Sequence, residues 1–286
     1  MKVMQFSEIK PFVRYARYMH VDKKSEYPLS VPCDARLFYT VDGVGEIRVN
    51  DEAFTMKKGD LLFFGAGTKY KIMPSSEGVS YIALNFDYTS EHSHLAHPIP
   101  PKTPDKMRER DIIEAVRFDD VCELSMPVRL EKKFDISNKL LEIKRDFSKK
   151  ILYFETKASN ILSEILIDCV RELKLQTVPD GYERINAIIK FIHENHKEKM
   201  TNSSLGKRFG FHPNYISRLI KNYTGMPLHR YLLHVKISRT IEMLDEGQLS
   251  VGEIAEKCGF CDIYYFSRLF KQYMGISPLE YRGKRA

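Results

Sequence analysis

The chain has 286 residues, enough for two domains that each bury a core. It has no run of about eighteen apolar residues, which excludes a membrane-spanning helix. The start MKVMQFSEIKPF lacks the apolar stretch of a signal peptide, and the five cysteines are too few and odd in number for a disulfide framework, so a cytosolic, cytoplasmic protein is expected. Its net charge of +7 sits at one end: residues 181–286 hold 17 Lys and Arg against 10 Asp and Glu, while residues 1–180 hold 28 of each. Basicity confined to one domain is the footprint of a polyanion binder.

In chain order, residues 35–90 alternate short β-rich runs with turn signals at Asp42-Gly43, Lys58-Gly59-Asp60 and Gly65-Ala66-Gly67. Such spacing predicts a sandwich or small barrel. The pattern G-x-G-x-I-x-V-N from Gly43 to Asn50, followed by Gly59-Asp60-Leu61, resembles the cupin-like ligand-binding domain. The resemblance covers about Ala35 to Tyr88 and implies an all-β barrel. Cupin enzymes hold a metal with two His and a Glu in or beside this hairpin. Here the hairpin carries Glu46, Arg48 and Asn50 and no His. His92, His94 and His97 follow in a Pro-rich loop and read as polar surface, with metal ligation as the alternative. No metal or cofactor is expected. One strand face carries Tyr81, Ala83 and Asn85, with Arg36, Phe38 and Tyr70 on neighbouring strands. Aromatic rings with polar tips suit a small-molecule effector, a sugar above all. Arg36, Phe38, Tyr70, Tyr81 and Asn85 are therefore the candidate ligand-binding residues.

Residues 98–104 read as a connection and 107–176 as helical. Ala158, Ile161, Leu162, Ile165, Leu166, Cys169 and Leu173 recur three and four apart and form a wide apolar stripe. It can pack on its own barrel; the resemblance set out below implies that it pairs two subunits, and a homodimer is expected. The domains are then 1–175 for effector binding and dimerisation, a linker at 176–181 broken by Pro179 and Gly181, and 182–286.

The last part reads as helices throughout. Thr201-Asn202 caps one that Gly210 stops, His212-Pro213 starts the next, and a long helix runs from Pro227 to Glu246. Ser250-x-x-Glu253 and Ser277-Pro278-Leu279-Glu280 are capping boxes. The stretch GFHPNYISRLIKNYTG returns as GFCDIYYFSRLFKQYMG: Tyr215, Ser217, Arg218, Leu219, Lys221, Tyr223 and Gly225 recur fifty positions later. Short helix, Gly turn, longer helix, twice over, is a duplicated helix-turn-helix joined by one long helix. Cys258 and Cys261 share the spacing of metal and redox sites, but no second pair completes a tetrahedron.

With SVGEIAEKCGF and YYFSRLFKQYMGISPLEYR, residues 181–286 resemble the DNA-binding domain of AraC/XylS-type transcription regulators. The first unit departs at Gly206, where Ala is usual, and at His212-Pro213, where Ser is common. By resemblance, the two recognition helices enter adjacent major grooves of double-stranded DNA. The positions facing bases are then Asn214, Ser217 and Arg218 in the first and Ile263, Tyr264, Ser267 and Arg268 in the second. Lys221 and Lys271 are expected on phosphates. A non-enzymatic, sequence-specific transcription activator follows, with RNA polymerase as a further partner. The alternatives are a metal-dependent cupin-type enzyme with a basic appendage and a regulator without ligand.

Overall fold

In the computed structural model, which describes residues 1–176 and 181–283, one long strand organises the N-terminal part. The strands are β1 (Lys2–Met4), β2 (Phe12–Val21), β3 (Ala35–Val49), β4 (Glu52–Lys57), β5 (Leu61–Phe64), β6 (Tyr70–Ile72), β7 (Val79–Asp87), β8 (Val116–Phe118) and β9 (Val128–Leu130). The first half of β3 lies between β7 and β5; its second half pairs β4 and β6. β2 extends the sheet beyond β7, and β9 extends it beyond β5.

Asp42-Gly43, expected as a turn, lies within β3 instead. The register slips between Thr40 and Asp42, and Gly43 adopts φ of +83°. A Cβ at Gly43 would stand 2.2 Å from the carbonyl oxygen of Gly78. The bulge bends the strand, so that one strand serves two parts of the sheet. Side chains from both parts then meet in one core, which contains Met19, Phe38, Ile47, Met56, Leu62 and Tyr81. Lys58-Gly59 is a turn as expected, between β4 and β5, with Gly59 at φ of +89°.

Residues 107–136, expected as helical, form β8, β9 and single 3-10 turns. The α-helices of this part are α1 (Ser137–Lys149) and α2 (Phe154–Gln176). Lys139 pairs with Glu164 at 2.8 Å and Lys157 with Asp146 at 3.0 Å, tying the two helices together. The stripe on α2 is used within the chain: Ala158, Leu162, Ile165, Leu166 and Cys169 are at most 1% exposed. Ile161 and Leu173 of the same stripe are half-buried, so most of the face expected to meet a second subunit is already removed from water within the chain.

The chain divides into two units, Met1–Val170 and Arg171–Ala286. The linker expected at 176–181 falls on residues 177–180, which lie outside the described residues. The second unit contains α3 (Gly181–Glu194), α4 (Asn202–Phe209), α5 (Pro213–Thr224), α6 (Leu228–Glu246), α7 (Val251–Lys257), α8 (Ile263–Met274) and α9 (Pro278–Gly283). Their ends follow local chemistry. Thr201 Oγ1 accepts from the Ser204 amide at 3.1 Å, Ser250 Oγ from the Glu253 amide at 3.2 Å, and Gly210, Gly225 and Gly247 close helices at positive φ. Two cores result. Ile188, Leu205, Ile216 and Leu219 form one; Ile254, Cys258, Phe266 and Phe270 form the other. Helix α6 feeds both, giving Leu228 and Val235 to the first and Ile237 and Leu244 to the second. Among the described residues no helix is long and apolar enough to cross a membrane.

Candidate functional site

Helices α5 and α8 occupy equivalent places in the two halves of the second unit. On α5, Ile216, Leu219 and Ile220 face the core, while Asn214, Arg218 and Lys221 are exposed and Ser217 is half-buried. On α8, Phe266 and Phe270 are buried, while Ile263, Tyr264, Arg268 and Lys271 are exposed and Ser267 is half-buried. Every residue expected to meet DNA thus lies off the packed face of its helix. Tyr264 is 84% exposed. Tyr273 is exposed; its counterpart Tyr223 is held by a hydrogen bond from its hydroxyl to Asn186 Oδ1 at 3.1 Å.

The two halves differ at their N-caps. His212 Nδ1 accepts from the Asn214 amide at 3.2 Å, which fixes the proton on Nε2. In the second half Asp262 accepts from the amides of Tyr264 and Tyr265, at 2.7 and 2.8 Å. A carboxylate there offsets the positive end of α8. The guanidinium of Arg268 lies over the Tyr265 ring, 5.8 Å from its centroid, which restrains the side chain before any partner arrives. Gly206, the departure in the first half, has a steric reason: a Cβ there would lie 2.5 Å from the Phe211 carbonyl oxygen. Cys258 is buried with its Sγ against the Met243 sulfur, while Cys261 is exposed.

In the first unit, strand register decides which candidate ligand residues meet. Tyr15, Asn85, Arg36 and Phe64 form one row across β2, β7, β3 and β5, and Arg17, Ala83, Phe38 and Leu62 form the next. Arg36, Asn85 and Tyr70 come together at one end: the Arg36 and Arg17 guanidiniums both act on the Tyr70 phenol, whose pKa is nevertheless raised by burial. Phe38 forms the floor, its ring 5.9 Å from that of Tyr70. Tyr81 belongs elsewhere. It is fully buried one row deeper, opposite Met19 and Thr40, and its hydroxyl has no hydrogen-bond partner among the described residues. Tyr15 and Arg17 were missed by sequence reasoning, because β2 was not recognised as a strand.

Beneath this end lies a buried charge cluster. Arg14 pairs with Asp87 and, at 3.4 Å, with Asp34; Arg36 pairs with Asp34 at 2.9 Å. Arg14 also donates to the Leu95 carbonyl and Arg36 to the Ile99 carbonyl, which fastens the 95–99 segment over the cluster. Burial pushes the Asp87 carboxyl up to about 7, against the pull of Arg14. A carboxyl that holds its proton more tightly when folded stabilises the fold less as pH rises. Stability of the first unit is therefore expected to fall between about pH 4 and pH 7, by at most about 1.4 kcal/mol per pH unit. Urea denaturation across this range measures it, and Asp87→Asn should flatten the slope.

The rings of His92 and His94 lie 6.2 Å apart, and no group of three metal-binding side chains occurs among the described residues. In the hairpin Glu46 and Arg48 pair with each other at 2.7 Å. A groove of about 460 Å³ lies elsewhere on the unit, lined by Phe12, Ser90, Thr156, Ser159, Asn160 and Ser163 among others.

Comparison with known proteins places the second unit. A family model described as a helix-turn-helix domain matches residues 205–284. The chain is 26% identical to the HTH-type transcriptional regulator YisR of Bacillus subtilis, over 86% of this chain and 84% of that protein. It is 26% identical to the HTH-type transcriptional activator RhaS of Escherichia coli, over 46% of this chain and 47% of that protein. The C-terminal domain of the two-component response regulator yesN from Fusobacterium nucleatum is 33% identical, covering 34% of this chain and 95% of that one with a TM-score of 0.32. Apart from YisR, these curated relatives are matched over about half their length. Residues 205–284 thus match a helix-turn-helix domain, and the chain is similar to proteins described as HTH-type transcriptional regulators.

Proposed function

We propose that the chain reads specific DNA sites with α5 and α8 and alters transcription, as an activator, in response to a small molecule held on the inner face of its cupin-like N-terminal sheet. The single observation that carries the DNA part is the matched pair Arg218 and Arg268. They occupy equivalent positions in the two repeats, and both are exposed while the neighbouring Leu219 and Phe266 face their cores. An arginine on such a helix forms two hydrogen bonds with guanine, and an asparagine such as Asn214 does the same with adenine. Ile263 and Tyr264 suit a thymine methyl, Ser217 and Ser267 permit close approach, and Lys221 and Lys271 fit phosphates.

The effector part is supported by the convergence of Arg36, Tyr70 and Asn85 over Phe38, with polar groups above an aromatic floor. Carbohydrate-like chemistry fits such a mixture of hydrogen-bonding groups and rings.

To test the DNA part, a binding site is selected from random duplexes with the full chain and every base pair is then varied singly. Arg218→Ala and Arg268→Ala should each cost about 1–3 kcal/mol and relax preference at one base pair. A loss of equal size on every variant of the site would make both arginines phosphate contacts.

A further inference from the structure

Charge accounting at the polar end of the first unit narrows the effector class; the inference rests on the effector reading above. Three arginines gather there. Arg14 and Arg36 are committed, to Asp34 and Asp87 and to the carbonyls of Leu95 and Ile99. Arg17 is not. Among the described residues it pairs with no carboxylate, yet it lies on the inner face: it sits opposite Ala83, in the register that puts Met19 opposite Tyr81 in the core. It is also exposed, so the inner face is open to solvent at this row. Around it stand neutral groups that make no side-chain hydrogen bond among the described residues: the Asn85 amide, 7% exposed, and the Tyr70 hydroxyl, 8% exposed.

An uncommitted guanidinium on the inner strand face calls for one negative charge. Amide and hydroxyl groups without side-chain partners on that face call for hydroxyls, which both donate and accept. We propose that Arg17, Tyr70 and Asn85 bind a small hydroxylated carboxylate, such as a sugar acid, with the carboxylate on Arg17 and hydroxyls on Tyr70 and Asn85. The neutral sugar of the same skeleton leaves Arg17 unmatched and is discriminated against.

The test uses the full chain with lactate, malate, gluconate and glucuronate, and with glucose and sorbitol as uncharged counterparts, all at equal ionic strength. Calorimetry gives affinity, and amide hydrogen exchange gives location. The expected result is binding of at least one acid, no binding of its neutral counterpart, and protection in residues 15–19, 35–39 and 83–87. Arg17→Gln should weaken that acid by about tenfold or more, and Arg17→Lys should restore part of the loss. Circular dichroism establishes that both variants are folded; the exposure of Arg17 makes this the expected outcome. Neutral sugars binding at the same residues, indifferent to Arg17→Gln, would overturn the acid assignment and leave the effector site standing. Protection confined to residues 156–163 would overturn the placement and move the effector to the groove beside α2. Failure of every acid to bind would overturn the proposal outright.

Discussion

Gly259→Ala is expected to destabilise the C-terminal unit by about 2–5 kcal/mol, from two causes that add. Gly259 adopts φ of +70°, where an L side chain costs about 1–2 kcal/mol. Its Cα also packs on the backbone of the chain ahead of α4: an added Cβ would lie 2.5 Å from the Lys197 carbonyl oxygen and 2.9 Å from the Lys197 Cα. Neither is the end of a flexible side chain, so relief requires the two halves of the unit to separate, and overpacking of this kind costs about 1–3 kcal/mol. Lys236 reinforces the contact, donating to the Gly259 carbonyl at 2.8 Å while its ammonium lies near the Phe260 ring. Gly210 is the control. It has φ of +74° but nothing within 4 Å of an added Cβ, so Gly210→Ala should cost only the conformational part, about 1 kcal/mol. Urea denaturation of both variants measures the difference. Equal costs would mean that the turn before α8 does not pack on Lys197 in solution.

Arg14→Met should be the most damaging change in the first unit, at about 3–5 kcal/mol, because it leaves a buried carboxylate without its cation. Asp87 has no exposed surface, and Arg14 is its ion-pair partner. The loss should shrink as pH falls toward about 7 from above, since without the pull of Arg14 the Asp87 carboxyl keeps its proton to higher pH and sits neutral. Replacing both partners, as Arg14→Met with Asp87→Leu, should recover much of the stability, because an apolar pair carries no desolvation penalty. The same two variants separate the charge from the strap. Both lose the hydrogen bond to the Leu95 carbonyl, so both should show faster amide exchange in residues 92–99. A single variant as stable at pH 8 as the parent chain would contradict the buried pair.

What could be read from the sequence was what local chemistry decides. The ends of α4 and α7 follow from Thr201, Ser250 and the glycines, each acting within a few residues. The repeat was legible for the same reason, since Ile216 and Phe266 mark the same helical phase. Long-range pairing overrode local signals elsewhere. Asp42-Gly43 has the composition of a turn, but pairing with Ser80 and Val79, far along the chain, draws it into a strand. β2 escaped notice because its polar residues Arg14, Tyr15, Arg17 and His20 break simple alternation; their placement makes sense only beside Asp87, Asn85 and Ser80. The stripe on α2 announced burial without naming what covers it. Arg36, Tyr70 and Asn85 were legible as residue types, whereas the isolation of Arg17 depends on which side chains share a face. Tyr81 carries the same phenol as Tyr70 and was grouped with it, but Tyr81 is fully buried opposite Met19 and Thr40, whereas the Tyr70 phenol lies within the influence of Arg17 and Arg36.

The account turns on the claim that two basic helices of one unit hold DNA together, and the salt dependence of binding tests it most directly. Full chain is titrated onto its selected duplex and onto a scrambled duplex between about 50 and 200 mM salt, where each phosphate contact contributes a slope of about −0.9 to log K against log salt. The predicted result is tighter binding to the selected duplex, a steep linear fall with salt on both, and a slope reduced by about 1 for Lys221→Ala and again for Lys271→Ala, since each lysine removes one phosphate contact. Affinity that ignores both salt and sequence, or a slope unchanged by both lysine variants, would contradict it.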